Sequence, residues 1–243
     1  MKDSKEYSKK VKKVFRSLKT KYGKPEKKVY EEPVDALVYG VLSEHVTERE
    51  AQERLAKFEA NFVDWNDLRV SLEQEILEVL GSDSEEAKLT ASKLCSVLGG
   101  VFKATNTVTL ESLYKQGKRP ARGVLEKIAG ISPFVVDYCM LTALDAHAMP
   151  LTAMMVRYLR ENELVHPEAD EQDIAGFLTR LIPASNGYDF YALLRQESED
   201  SLTKKKRRKR KTVKKKAKKA VKKTKKKAKK KTKKKLKKKT KTA

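Results

Sequence analysis

Arg122-Gly123-Val124-Leu125-Glu126-Lys127-Ile128-Ala129-Gly130-Ile131-Ser132-Pro133-Phe134-Val135-Val136 is the stretch on which the fold turns. It reads as the end of one helix, an apolar-Gly-apolar-Ser turn, and the start of a second helix. Gly130 permits positive φ in a tight turn. Ser132 and Pro133 supply an N-cap hydroxyl and then a proline at the first helical position, where a missing N–H does no harm. Exposed N–H groups at such a turn and at the next helix N-terminus suit one phosphate oxygen. The same residues also describe an ordinary helix–turn–helix corner, and the stretch alone leaves both readings open.

The surrounding sequence is helical by its apolar period. Val34, Leu37, Val38, Val41 and Leu42 form one stripe at i, i+3, i+4, i+7 and i+8. Leu151, Met154, Met155, Tyr158 and Leu159 repeat it, as do Ile174, Phe177, Leu178, Leu181 and Ile182. Thr47-Glu48-Arg49-Glu50 and Ser82-Asp83-Ser84-Glu85 read as capping boxes. Gly81, Gly99-Gly100, Gly130 and Pro183 punctuate between elements. The spacing predicts helices near 5–19, 33–45, 48–60, 64–80, 84–101, 108–115, 119–129, 133–145, 151–163, 170–182 and 187–198, with no strand.

Charge divides the chain. Its 243 residues hold 56 Lys+Arg and 33 Asp+Glu, a formal net charge of +23. Residues 204–243 carry 28 Lys/Arg and no acid, and residues 1–28 carry 12 basic and 3 acidic side chains. The 29–203 stretch between them has 16 basic against 30 acidic residues, a balance of −14. An acidic domain between two basic arms is therefore expected, with the 204–243 tail disordered because it has no apolar area to offset ordering entropy. From Ala220, the positions Thr224, Ala228, Thr232, Leu236 and Thr240 recur every fourth residue among lysines. No apolar run is long enough for a membrane span, and the N-terminus lacks the apolar core of a secretory signal. Cys95 and Cys139 have no Cys-x-x-Cys partner, so reduced thiols in an intracellular protein are expected.

Three stretches, in order, carry a resemblance. The Arg122–Val136 segment resembles the helix–hairpin–helix of the endonuclease III-like (HhH-GPD) DNA glycosylase superfamily, whose Leu-Pro-Gly-Val-Gly-type hairpin grips a DNA phosphate. Upstream, Pro33–Glu48 is similar to that family's first core helix, which ends in Leu-Leu-Ser and a polar residue before Thr-Asp. Downstream, Met149-Pro150-Leu151-Thr152-Ala153-Met154-Met155-Val156-Arg157-Tyr158-Leu159 is similar to its Pro-Val-Asp-Thr-His-Val-x-Arg-Val helix. The resemblance covers roughly residues 30–198 and implies an all-α, two-lobed fold with DNA as partner and base-excision repair as its setting. By the same likeness, Gly130, Ile131, Ser132 and Lys127 fall at the phosphate grip. His45 matches the position from which relatives push a polar side chain into the space left by a flipped base.

The departures fall on the chemistry. Phe134 stands where bifunctional relatives carry the lysine that forms a Schiff base with the sugar, and phenylalanine has no nucleophilic amine. Thr152 stands at the aspartate that assists glycosidic-bond cleavage, and a neutral hydroxyl supplies neither charge nor base. Ser132 replaces the hairpin's second glycine, and Pro133 removes one possible phosphate-binding N–H. The four-cysteine iron–sulfur loop of many relatives has no counterpart, so no cofactor is expected. Asp137 and Asp145 are the carboxylates from which replacement chemistry would come, and solvated helix faces are the plainer reading of both. His45 as a surface cap, Lys127 as a surface lysine and Trp65 as core are the plainer readings of those residues. His147 and His166 fit no metal motif.

The tail, beginning Lys204-Lys205-Lys206-Arg207-Arg208-Lys209-Arg210-Lys211, resembles those of linker histones and bacterial histone-like proteins. Each phosphate contact contributes a sequence-blind slope of about −0.9 in log affinity against log salt. The sequence thus reads as a DNA-binding protein of glycosylase type that lacks lyase and glycosylase residues, with a tail that binds duplex DNA without sequence preference. RNA is a possible competitor. A monofunctional glycosylase using an unrecognised carboxylate and a histone-like architectural protein are the alternatives. The setting is the bacterial cytoplasm and nucleoid, or the nucleus of a eukaryote.

Overall fold

A computed structural model describes residues 4–204. They are all-α, and no strand occurs among the described residues. In chain order the helices are α1 (Ser4–Tyr22), α2 (Pro33–Ser43), α3 (Glu48–Asn61), α4 (Trp65–Val70), α5 (Glu73–Leu80), α6 (Glu85–Thr105), α7 (Lys118–Leu125), α8 (Pro133–Thr142), α9 (Ala153–Glu161) and α10 (Glu171–Leu181). Residues 187–204 are also helical (α11), and short 3₁₀ turns cover Glu111–Lys115 and Ala184–Asn186. One compact unit ends at Glu199.

The core of this unit is organised by α2. Val34, Ala36, Leu37, Val38, Val41 and Leu42 are all fully buried, so its one-stripe pattern understates it: neighbours surround the helix. It packs on α8, α3 and α6, while α4 and α5 pack on α6. The α2–α8 crossing is close because Gly40 has no side chain: a Cβ there would lie 3.2 Å from Val135 Cγ1. Tyr39 and Tyr138 rings, 5.7 Å apart, continue the contact, and the Tyr30 and Tyr138 hydroxyls share a 2.5 Å hydrogen bond. This crossing fixes α8, and α8 fixes the hairpin that precedes it.

Local signals explain most element ends. Thr47 caps α3 with a reciprocal Glu50 contact, and Ser132 caps α8 with Pro133 at its first position. The second capping box is displaced: Ser84, not Ser82, accepts from Ala87 N and starts α6. The expected 64–80 helix is two helices, because Ser71 Oγ donates to Asp67 O and Glu75 accepts from Leu72 N at the break. The 108–115 helix reduces to the 3₁₀ turn at Glu111–Lys115. Gly99-Gly100 lies inside α6 rather than between elements.

Residues 1–28 are corrected more deeply. From residue 4 onward they are not an arm beside the domain: α1 buries Val11 and Leu18, and Phe15 meets Phe190 edge-on at 5.2 Å. Lys19 donates to Asn186 and Lys21 pairs with Glu197. The compact unit 1–199 consequently carries 28 Lys+Arg against 32 Asp+Glu, a balance of −4 rather than −14. Lys205–Lys211 and the rest of the tail lie outside the described residues, and Lys204 is the last one described.

Candidate nucleic-acid interface

The hairpin joins α7 to α8 through a tight turn. Ile128 N donates to Leu125 O at 3.0 Å and Ile131 N to Ile128 O at 3.3 Å, with Gly130 at φ +78° between them. Ile128 is buried while Lys127, Ala129 and Gly130 are exposed, so one apolar side chain pins the turn and its tip faces solvent. Ser132 Oγ accepts from Val135 N at 3.3 Å. Among the described residues the amides of Gly130 and Ser132 have no acceptor. The Ile131 amide is committed to the turn, which removes one of the N–H groups expected to face a phosphate.

Helix α6 holds this turn in place by two missing side chains. A Cβ at Gly100 would lie 2.9 Å from Ala129 N, and one at Gly130 would lie 2.5 Å from Ser96 Oγ. The backbones of α6 and the hairpin therefore meet directly. The same approach creates a groove of about 350 Å³ in which His45, Lys93, Ser96 and Gly130 come together. Lys93 pairs with Glu44, whose carboxylate is also 3.8 Å from His45 Nε2. His45 is exposed at the end of α2.

On its other side His45 borders a cleft of about 410 Å³, which also gathers Glu44, Phe134, Asp137, Thr152 and Glu171. Three residues singled out for chemistry in the sequence thus share one cavity. Phe134 is buried, stacked on Tyr138 at 6.0 Å, with the Arg195 guanidinium 6.0 Å from its ring. Thr152 is 1% exposed and is the N-cap of α9, its hydroxyl accepting from Met155 N at 3.3 Å. Asp137 is ion-paired to Arg122. Burial raises the Asp137 pKa, and the Arg122 charge only partly opposes it. Asp145 is elsewhere: it is exposed, at φ +48°, and paired with Lys27 beside a different cavity.

The loop carrying His45 is held from α11. Buried Arg195 donates to Ser43 O at 2.8 Å and to Val46 O at 3.2 Å, bracketing Glu44 and His45. It also bonds Tyr191 and pairs with Glu48 and Glu199. Burial works to raise the Glu48 pKa, but Arg195 and Lys28 outweigh it and hold it below the ordinary carboxylate value. Arg195, Lys93, Ser96, Glu44 and Glu171 were not read from the sequence. Their only signal is proximity to residues far along the chain, which no local pattern carries.

The remaining candidates are structural. His147 Nε2 lies 2.6 Å from Thr179 O, and His166 Nδ1 accepts from Glu168 N. Trp65 packs on the core and donates to Asp35 at 2.7 Å. Burial pushes the Cys139 thiol up to about 12, and Cys95 is half-buried. Among the described residues no group of three His, Cys, Asp or Glu is placed to hold a metal ion, and no helix is long and apolar enough to cross a membrane.

No family model and no curated relative matches this sequence. Solved structures do. A trapped endonuclease III–DNA covalent intermediate aligns over 77% of this chain and 84% of its own, at 12% identity and a TM-score of 0.60. A thermostable thymine-DNA glycosylase aligns over 78% and 86%, at 16% identity and 0.57. The Clostridium acetobutylicum 8-oxoguanine glycosylase/lyase bound to double-stranded DNA aligns over 82% and 71%, at 13% identity and 0.63. The chain has the all-α helix–hairpin–helix fold of these HhH-GPD glycosylases.

Proposed function

We propose that this chain is a duplex-DNA-binding protein on a glycosylase fold, without the lyase and glycosylase chemistry of the enzymes it resembles. The observation that carries the reading is the shared position of His45. It borders both the groove at the hairpin tip, with Gly130 and Lys93, and the cleft that holds Phe134 and Thr152. A duplex whose phosphate sits at Gly130 and Ser132 brings its neighbouring bases to His45 and the cleft mouth. Lys127 stands beside the same turn. Inside the cleft a stacked phenylalanine replaces an amine and a capping threonine replaces a carboxylate, so the cleft receives a base or sugar without attacking it. The reading uses no metal or iron–sulfur cluster.

With a body balance of −4, charge attraction to DNA comes from outside the domain average. The lysine-rich 204–243 segment supplies it, without sequence preference and with a steep salt dependence. A chain ending at Thr203 is expected to lose most of the salt slope of duplex binding, and an unchanged slope would refute this role. Competition with RNA of equal length measures the preference between the two. The protein acts where the cell's DNA is, in the bacterial nucleoid or the nucleus.

One observation favours a second reading. Asp137 lines the cleft beside Phe134 and Thr152, with its pKa raised by burial, as a substitute general acid would be. Incubation with duplexes bearing uracil, oxidised pyrimidine or alkylated bases, followed by alkali, and with an abasic duplex without alkali, each scored as strand cleavage above a protein-free control, decides between the two. No strand cleavage is expected. Cleavage abolished by Asp137→Asn would establish the enzyme instead.

A further inference from the structure

The exposed face of α1 lies outside the site described above. Lys5, Lys9, Lys12, Lys13 and Arg16 are all exposed and fall within a sector of about 100° around the helix axis at 3.6 residues per turn. Val11, Leu18 and Phe15 lie away from this sector: Val11 and Leu18 are buried, and Phe15 packs against the core. None of the five cations has an ion pair among the described residues. Their neighbours are engaged: Lys10 with Glu6 and Glu163, Lys19 with Asp189, and Lys21 with Glu197.

This face is remote from the hairpin. Helices α8 and α9 both start at the cleft, with Pro133, Phe134, Thr152 and Ala153 in its wall. Helix α1 itself meets the far end of α9, where Lys10 lies 3.9 Å from Glu163, and the segment that follows α1 reaches Asp145, past the end of α8, through Lys27. The two helices separate α1 from the cleft by about 13–15 Å of helix, at 1.5 Å per residue.

We propose that this stripe is a second phosphate-binding surface, so that one chain bridges two DNA duplexes. The proposal rests on the hairpin face as the first surface. From Lys5 to Arg16 the stripe runs about 17 Å, opposite which a duplex carries about ten charges at one per 1.7 Å of axis. Thr20 continues the sector, which has no acid and no apolar side chain. Such a surface fits a uniform polyanion. A membrane-binding helix would instead keep its apolar face free, and here that face is buried.

A sandwich assay tests this with the full-length protein: an immobilised duplex holds the protein, and a second, fluorescent duplex is added. Substitution K5Q/K9Q/K12Q/K13Q/R16Q keeps good helix formers at exposed positions, so its circular-dichroism melt is expected to be unchanged. It is expected to leave retention on the first duplex within about twofold and to lower capture of the second by about tenfold or more. A matched chain with the exposed Lys57, Lys88, Lys103, Lys115 and Arg119 changed to Gln loses the same charge and is expected to capture normally. Equal loss in both chains, or full capture by the α1 variant, overturns the proposal. So does an α1-dependent binding to phosphatidylserine vesicles with second-duplex capture unchanged. Failure of the parent protein to stay on the first duplex overturns the hairpin reading as well, whereas retention without α1-dependent capture overturns only the bridge.

Discussion

Replacing Gly99 and Gly100 by alanine, one at a time, separates helix propensity from the α6–hairpin seam. Both lie inside α6, where glycine costs about 0.5–1 kcal/mol relative to alanine. A Cβ at Gly99 meets nothing within 4 Å. Gly99→Ala should therefore gain most of that amount and raise Tm by about 1–4 °C for a chain of this size. A Cβ at Gly100 lies 2.9 Å from both Ala129 N and Ile128 Cγ2, well inside ordinary contact. The first is backbone and cannot rotate away, so an overpacking cost of about 1–3 kcal/mol is set against the same propensity gain. Gly100→Ala should be neutral to destabilising by about 2 kcal/mol and should push the Gly130 tip away from Ser96 and Lys93. Thermal melts of the two variants, followed by duplex titrations at one salt concentration, give the comparison. If Gly100→Ala is as stabilising as Gly99→Ala and binds DNA as tightly as the parent, the direct seam between α6 and the hairpin is wrong.

Other consequences follow from the same geometry. Gly130→Ala forces a Cβ into φ +78° and should cost about 1–2 kcal/mol in urea unfolding, with little rescue by Ser96→Ala if the backbone conformation dominates. Arg195→Ala leaves Glu48 and Glu199 without their buried partner and should destabilise by about 3–5 kcal/mol, the largest loss of this set. Because the Glu48 pKa is held down, its ionised form contributes stability that is present above about pH 4.5 and lost as pH falls through the lower folded value. The Tm gap between the parent and Glu48→Gln should accordingly narrow below pH 4.5, and a gap that widens there would contradict the assignment.

What the sequence discloses and what it hides divide along chain separation. Helices α2, α9 and α10 announce themselves because each buries apolar residues at helical spacing, and Ser132-Pro133 marks the start of α8 by capping chemistry alone. The hairpin is legible because Gly130 and Ser132 are local. The helix near 5–19 was legible, but its docking was hidden by its own lysines: a count of charge obscures Val11, Phe15 and Leu18, which share the face away from the basic stripe. Lys93 and Ser96 look like any exposed positions on α6. Only the closeness granted by Gly100 makes them part of the groove, and that closeness involves residues about thirty positions away. A resemblance gave Phe134, Thr152 and His45 their family positions but not their shared cleft, and Arg195, which holds the His45 loop, gave no local sign.

The docking of α1 also sets a timetable for synthesis. Its partners Asn186, Asp189, Phe190 and Glu197 are translated some 167–176 residues later. At about 5–20 residues per second, α1 waits on the order of 10–35 s after emerging before its seat exists. During that interval Val11, Phe15 and Leu18 are uncovered on a strongly cationic nascent segment, close to the ribosome's own polyanion. Closure of the first and last helices is therefore a late, long-range joining step of the domain.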